Sequence, residues 1–201
     1  MRNTVSRFLE DQKLVRPPLT PGEPVVSVIM PTCRIRPGNT NRRAIESVLA
    51  QTFRDFEFII VDDGSLDGLD KLLARYQEAD TRIVLVRHDS NSGLPAVRVN
   101  EAILMARGKY LAYMFEDDEW QPDALEKLLD TIGIGRGECA VYGAVDMTLH
   151  RPGRPDERSL LGAWDFNYGI LKNGNKIANC AVVYPRAVHN ACGLYDPHIL
   201  I

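Results

Sequence analysis

The amino-acid sequence predicts an α/β domain with a mostly parallel sheet flanked by helices. Short apolar runs, typical of buried strands, alternate along the chain with longer segments whose apolar residues recur at helical spacing. This alternation is the pattern of βαβ units, whose strands run parallel. The 201 residues, 45% of them hydrophobic and 25% charged, fit one packed domain of ordinary size.

Four apolar runs predict the buried strands of this sheet. The first covers residues 25–30, and we expect it to end at Pro31, because proline cannot donate to a central ladder. The second covers residues 56–61 and ends at a polar turn. The third and fourth cover residues 83–86 and 110–115. Right-handed crossovers would place the carboxyl ends of these strands at one edge of the sheet, where open α/β sheets bind ligands.

Four segments between and after these strands predict helices on the faces of the sheet. Residues 41–51 and 69–76 carry apolar side chains at helical spacing. Residues 97–106 form the third predicted helix, which a nearby glycine closes. Residues 122–132 form the fourth, with Pro122 suited to its first turn.

The pattern is weaker at both ends of the chain. Residues 1–24 contain four prolines near their end and predict a lead-in segment or linker before a domain at residues 25–201. Residues 139–145 and 177–184 predict two further strands. Between them, residues 151–175 are rich in proline, glycine and charge, which predicts a long loop beside the binding edge.

Bulk properties exclude several classes of partner. The net charge of -3 provides no basic surface for nucleic acid or an anionic membrane. The apolar runs are too short for a membrane span, and no signal peptide is visible. The four cysteines lack C-x-x-C spacing, which argues against structural zinc and favours reduced cysteines. We therefore expect a cytoplasmic protein, either free or peripheral to the inner face of the membrane.

Three consecutive acids, Glu116, Asp117 and Asp118, follow the fourth predicted strand. Adjacent carboxylates repel one another, so they are either well solvated or bound to a cation. Their position directly after a buried strand favours the cation. Carboxylate oxygens suit a hard divalent ion such as Mg²⁺, which also accepts substrate phosphates as ligands. The segment therefore predicts a site for Mg²⁺ or Mn²⁺.

The second predicted strand ends in Asp62 and Asp63, and the third predicted helix begins near Arg98. The acids with the glycine that follows them suit an ordinary turn, but a carboxylate there also accepts the imide N–H of uracil or the equivalent edge of another base. Arg98 in a first helical turn opposes the helix dipole. A bound anion or an acid such as Asp63 would compensate its charge.

The end of the first predicted strand, Pro31 and Thr32, has backbone groups available for a base or ribose. Two arginines follow it, Arg34 and Arg36. The sequence leaves open whether they contact a ligand or are solvated loop charges.

Five segments of the chain occur in a specific order and spacing. They are VSVIMPT (26–32), AIESVLAQTF (44–53), FEFIIVDDGS (56–65), GKYLAY (108–113) followed by the acids, and GLYD (193–196). Each is weak alone, but together they closely resemble family 2 glycosyltransferases of the GT-A fold, from about residue 25 to the end of the chain. The resemblance implies a GT-A sheet of the Rossmann-like, nucleotide-diphospho-sugar transferase type.

The resemblance also implies an activity and a division of the domain. It implies transfer of a sugar from a nucleotide-diphosphate donor, a UDP-sugar in the first instance, to a saccharide or other hydroxyl acceptor. The nucleotide-binding part would span residues 25–120, and a partial acceptor-side part residues 121–201.

Site residues follow from the same resemblance. The nucleotide site would comprise Pro31, Thr32, Asp63, Arg98 and Glu116. Within it, Asp63 would bind the base and Glu116 would lie near the ribose. Asp117 would be the principal ligand of the metal in a D-x-D-type motif, with Asp118 beside it. One departure affects this set, because many members have an aspartate where Phe115 stands.

The catalytic base is the second departure. Inverting members use a carboxylate beyond the G-x-F-D segment, and this chain ends at Ile201. We expect a truncated chain whose base lies outside it, with Asp196 as the candidate within it. A non-catalytic GT-A module that binds nucleotide sugar, or serves as a scaffold, is the alternative. A nucleotidyltransferase would need a glycine-rich segment with a basic residue after the first strand, which residues 31–40 do not supply.

Overall fold

The computed structural model describes residues 22–134, 139–151, 153–162 and 164–197 of the chain. Nearly all of the predicted lead-in segment, residues 1–21, lies outside these described residues, and so do the last four residues of the chain. The division into a lead-in and a domain therefore stays a prediction.

A six-stranded sheet forms the centre of the described part. The strands of the chain are β1 Val26–Thr32, β2 Phe56–Asp62, β3 Ile83–Arg87, β4 Tyr110–Tyr113, β5 Val141–Tyr142, β6 Val145–Leu149, β7 Glu157–Leu161 and β8 Val182–Pro185. The sheet has the order β3-β2-β1-β4-β8-β5, and β6 and β7 form a separate two-stranded ribbon. The first four strands are parallel, whereas β8 is antiparallel to both β4 and β5.

Helices cover both faces of this sheet. They are α1 Thr40–Leu49, α2 Leu69–Ala79, α3 Pro95–Met105, α4 Ala124–Ile134, α5 Tyr168–Lys172 and α6 Val188–Cys192. Alternate residues of β1 belong to two buried clusters, one of which includes side chains of α1, α2 and α4, and the other side chains of α3. The predicted α/β class, a mostly parallel sheet flanked by helices, is confirmed.

The four parallel strands end at one side of the sheet, which we call the carboxyl edge. The segments that follow β1, β2 and β4 there begin at Cys33, Asp63 and Met114. These segments contain four of the eight residues that the sequence predicted for the site, and two more, Pro31 and Thr32, end β1. The sheet order places β1 between β2 and β4, so β1 is within one strand spacing of both neighbours.

The predicted end of the first strand is wrong by two residues. β1 continues through Pro31, which pairs with Val61, to Thr32. On its other side, pairing with β4 stops at Ile29. Beyond that point β1 has one neighbour only, as an edge strand does, so the missing N–H of proline is tolerated.

The second half of the chain departs further from the predictions. The predicted strand at 139–145 shrinks to the two residues of β5, and the one at 177–184 is a 3-10 turn followed by β8. The predicted loop at 151–175 contains β7 and α5. Most residues of the β6–β7 ribbon are exposed, so their sequence lacks the alternation that marks a half-buried strand. The helix predicted from Pro122 begins at Ala124.

None of the helices in the described ranges combines the length and the apolar character that a bilayer crossing requires.

Candidate functional site

The turn after β2 carries Asp63, a buried carboxylate with several partners. Its exposed fraction is 6%, and the backbone N–H and hydroxyl of Ser92 donate to it over 3.0 and 2.9 Å. The Nε–H of Arg98 donates to the same carboxylate over 2.6 Å. The acid that the sequence suggested as a partner for Arg98 therefore does compensate its charge.

Arg98, on α3, begins a row of buried ionisable groups. One of its terminal nitrogens lies 3.4 Å from Glu101, and Glu101 lies 2.9 Å from the Nε2 atom of His88. Arg98 and Glu101 are three residues apart and so share one face of the helix. Sequence reasoning missed Glu101, because an arginine and a glutamate three residues apart are equally typical of a solvated helix face. It missed His88 because this residue follows β3, and only the packing brings it to Glu101.

Gly64 allows the backbone conformation of the turn that carries Asp63. Its φ is +71°, and a Cβ at this position would stand 2.4 Å from the carbonyl carbon of Ser90. The preceding Asp62 accepts hydrogen bonds from the backbone N–H and hydroxyl of Ser65. Burial raises the pKa of Asp62 above its ordinary value, and the two hydrogen bonds from Ser65 oppose that shift. The turn is therefore built for close contact with the segment that carries Ser92.

Thr32, at the end of β1, connects the two acidic turns. Its carbonyl oxygen accepts the backbone N–H of Asp63 over 2.8 Å. Its hydroxyl donates to the Oε2 atom of Glu116 over 2.6 Å. Pro31 lies just before it in the strand and is half-buried. Three neighbouring strand ends are thus joined through one buried threonine.

The three consecutive acids point in different directions. Glu116 is buried and faces Thr32, whereas Asp117 is exposed. Asp118 is half-buried beside Cys180; burial raises the pKa of Asp118, and the Cys180 hydrogen bond opposes that shift. Burial and the neighbouring Asp118 carboxylate raise the pKa of Cys180 to about 12, so this thiol stays protonated near neutral pH.

The carboxylates at this edge fit a metal that is shared with a ligand. Throughout the stretches that the structure describes, no three His, Cys, Asp or Glu side chains are close enough to form a metal cage of their own. Mg²⁺, however, usually binds one or two carboxylates together with substrate phosphates. Exposed Asp117 fits that mode. Phe115 adds no ligand, because it packs against the apolar cluster on the α3 side of the sheet.

Asp196 follows a segment that is held against α3, the helix that carries Arg98. The side chain of Asn100 accepts the N–H of Tyr195 over 2.9 Å and donates to its carbonyl oxygen over 2.7 Å. The Tyr195 hydroxyl lies 3.3 Å from that of Tyr113 on β4. Asp196 is exposed beside this anchor. The structure thus brings Thr32, Asp63, Arg98 and Glu116 into one network.

A sequence profile described as Glycosyl transferase family 2 matches residues 27–182, more than half of the chain. The chain belongs to glycosyl transferase family 2. The matched range includes all the strand ends and acidic turns described above. It confirms the resemblance seen in the sequence.

Two relatives illustrate this membership. TuaG of Bacillus subtilis, whose name assigns it provisionally to teichuronic acid biosynthesis, is 40% identical over 112 residues, which cover 56% of this chain and 43% of TuaG. WcaA of Escherichia coli, assigned in the same provisional way to colanic acid biosynthesis, is 42% identical over 108 residues, 53% of this chain and 37% of WcaA. The matched regions therefore cover less than half the length of these family 2 relatives.

Two solved structures share the fold. Residues 1–349 of Staphylococcus aureus TarS superpose with a TM-score of 0.61 at 20% identity, covering 88% of this chain and 51% of that one. The mannosyltransferase PcManGT of Pyrobaculum calidifontis, solved with GDP-Man and Mn²⁺, superposes with a TM-score of 0.60 at 20% identity, covering 98% and 54%. At this identity the likeness shows the GT-A fold of the family 2 domain.

Proposed function

We propose that the carboxyl edge binds a nucleotide-diphosphate sugar and that this family 2 domain transfers the sugar to an acceptor hydroxyl. The observation that carries the proposal is the single threonine, Thr32, that contacts both Asp63 and Glu116. A ligand lying across β2, β1 and β4 would meet both acidic turns. TarS structures with UDP and with UDP-GlcNAc, and PcManGT with GDP-Man, support a donor of this class.

Asp63 is our proposed contact for the base of the donor. Its carboxylate accepts hydrogen bonds from Arg98, which is buried, and from Ser92, which is exposed. Ser92 is therefore the partner that a base N–H would replace, while Arg98 keeps the charge of the carboxylate compensated. Backbone groups of Pro31 and Thr32 would contact the nucleoside, with Glu116 at the same edge.

A divalent ion, Mg²⁺ or Mn²⁺, would be held by Asp117 together with the diphosphate, with Asp118 beside it. Such an ion supplies positive charge to the departing phosphate oxygens. Asp117 suits this role because its carboxylate is exposed after a rigid, buried strand. The presence of Mn²⁺ in the PcManGT structure supports the choice of ion.

The reaction we propose is an inverting displacement of the hexosyltransferase type. The acceptor oxygen forms a bond to the anomeric carbon, the bond to the diphosphate oxygen breaks, and that oxygen keeps the electron pair. The hydroxyl proton passes to a carboxylate base. Asp196 is the candidate for that base within this chain, and the acceptor would be a saccharide or another hydroxyl compound at a cytoplasmic location.

The test is a titration calorimetry panel of UDP, GDP, dTDP and CDP, each with Mn²⁺ and with a chelator. We expect one diphosphate to bind clearly more tightly than the other three. Asp63→Asn should weaken that binding with and without metal, and Asp117→Asn should remove the metal-dependent part only. Asp156→Asn, which changes an exposed acid of the β6–β7 ribbon, is the matched control. Failure of all four diphosphates to bind would overturn the proposal.

A non-catalytic, nucleotide-sugar-binding module is the second candidate. Phe115 favours it, because the family's usual acid is absent there and the phenylalanine faces the core. The two candidates separate in one measurement: slow hydrolysis of the bound sugar nucleotide, or transfer to an added saccharide mixture, supports the enzyme. Tight binding with neither reaction by the full-length protein supports the module, because the expected base lies outside this chain.

A further inference from the structure

Glu116 differs from its acidic neighbours, because both of its carboxylate oxygens already have partners. Oε2 accepts the Thr32 hydroxyl at 2.6 Å and lies 3.5 Å from the amide nitrogen of Asn41. Oε1 accepts the Nε–H of Arg36. The residue is 7% exposed. Its carboxylate therefore faces the loop after β1 and has little capacity left for a ligand.

Arg36 is fixed at two points in this loop. Its backbone N–H donates to the Oδ1 atom of Asn41 over 2.6 Å, and its Nε–H donates to Glu116. The other end of Asn41 lies 3.1 Å from the carbonyl oxygen of Arg34, which ties the loop to the start of α1. The Arg36 side chain remains 35% exposed. The guanidinium is thus oriented by a buried acid and still reaches solvent.

The Arg36 guanidinium has hydrogen-bond donors that Glu116 does not occupy. A guanidinium has five N–H donors in a rigid plane, and Nε–H is the one directed at Glu116. The two terminal nitrogens make no hydrogen bond to any residue in the described ranges. A planar fork with free terminal N–H groups is the geometry that recognises phosphate oxygens.

Several neighbours of Arg36 are neutral or already have partners of their own. Phe115 contributes no charge, and the Asp118 carboxylate lies against Cys180. Arg43, another arginine of the same region, is paired with Glu119 at 2.9 Å. Among the other charges that follow β1 and β4, Arg34 and Asp117 are exposed and Arg36 is partly exposed.

We propose that Arg36 binds the diphosphate of the donor, and that Glu116 is the positioning residue that holds its guanidinium rather than a ribose ligand. This rests on the proposed function above. A fixed cation at the diphosphate stabilises the negative charge that grows on the leaving oxygen without reorganising as it does so. Arg36 thereby supplies, from the loop after β1, a fixed positive charge that does not depend on a metal ligand at the position of Phe115.

The experiment compares a nucleoside diphosphate with its nucleoside: calorimetric titration of UDP and uridine, or the matching pair for the base that the panel selects. Both are run with a chelator and with Mn²⁺. We expect Arg36→Gln to lower the affinity for UDP at least tenfold in both conditions, while the affinity for uridine changes less than twofold. Glu116→Gln keeps the shape of the side chain but removes the negative charge that anchors Arg36. It should give a smaller loss of UDP affinity, again with little change for uridine. Arg43→Gln, an exposed arginine with a surface partner, should leave both affinities unchanged.

A deoxyribose analogue separates the two roles of Glu116. If Glu116 is a positioning residue, Glu116→Gln leaves the ratio of UDP to 2′-deoxy-UDP affinities unchanged; a selective loss of the UDP preference makes it a ribose ligand and overturns the assignment. If Arg36→Gln lowers the affinities for uridine and UDP equally, or lowers neither of them, the inference is wrong although the proposed function stands. If no nucleotide binds the unmodified chain, both are wrong.

Discussion

Residues 22–120, which carry the proposed donor site, and the described residues beyond 120 differ in how they place charged side chains; the two parts are called the donor side and the acceptor side after their proposed roles. The donor side buries charge: Glu57, Asp62, Asp63, Arg98, Glu101 and Glu116 are all at most 7% exposed. In the described residues beyond 120, the buried side chains include no charged one. That side instead exposes large apolar groups, among them Phe166 at 65% and Tyr168 at 72%.

The difference identifies the part of the chain in which charged side chains are buried despite the cost in free energy. Glu57 lies near the start of β2, whereas the other buried charges lie at or beside the carboxyl edge. Burying a charge is costly unless it is paired, so the paired charges at that edge point to a functional site. The acceptor side holds an open groove of about 700 Å³ lined by Trp164, Asp165 and Phe166. Exposed apolar patches often mark interaction surfaces, whereas the donor side is organised by paired, buried charges.

The largest expected effect is on the donor side, at Asp63. Asp63→Ala leaves Arg98 buried without its closest anion, and breaking such a buried pair costs about 3–5 kcal/mol. Asp156→Ala removes an exposed partner of His150 and should change the free energy of unfolding by less than about 0.5 kcal/mol. Urea unfolding of both variants measures the contrast. Equal losses would mean that the two parts do not differ as described.

A glycine pair gives the next largest effect. Gly64→Ala places a Cβ 2.4 Å from the backbone of Ser90 at a positive φ, which should cost about 3 kcal/mol. Gly153→Ala has a similar φ, +73°, but meets nothing within 4 Å, so we expect about 1 kcal/mol. Comparing the thermal unfolding of the two variants separates the cost of the close contact with Ser90 from the cost of the positive φ. Similar losses would contradict the tight packing of the Asp63 turn.

A pH series sharpens the comparison further. Because burial raises the pKa of Asp62, the folded chain holds this proton at pH values where the unfolded chain has released it. Stability should therefore fall as the pH rises from the ordinary value of 3.8 through the raised pKa. Asp62→Asn should remove that part of the slope in urea unfolding curves measured between pH 4 and 7. An identical slope in the variant would show that Asp62 does not contribute.

The smallest effect is expected on the exposed side. Phe166→Ser replaces a ring that is 65% exposed, so the free energy of unfolding should change by less than about 0.5 kcal/mol. The matched change Phe58→Ser, at a fully buried ring of β2, should prevent folding or cost more than about 3 kcal/mol. Circular dichroism melting curves check both. A large loss in Phe166→Ser would show that the acceptor side has a packed core of its own.

The predictions from sequence were strongest where periodicity and burial coincide. The strands at 56–61 and 83–86 lie within one residue of β2 and β3, because both are continuous apolar runs buried on both faces. The β6–β7 ribbon was missed, since its residues face solvent and its pairing depends on backbone hydrogen bonds that leave little trace in the sequence. The class and parallel core of the fold could thus be predicted, and beyond residue 120 also α4 and, approximately, β5 and β8, but not the β6–β7 ribbon or α5.

For the site, the sequence by itself determined which residue types stand at the strand ends, and hence that acids and arginines would gather at one edge. It suggested that Asp63 would compensate Arg98, because an arginine in a first helical turn needs an anion. The tertiary structure alone decided that Glu116 faces Arg36 and Thr32 while Asp117 faces solvent. Successive residues after a strand point in directions set by packing against other segments, and that packing involves contacts more than eighty positions apart along the chain.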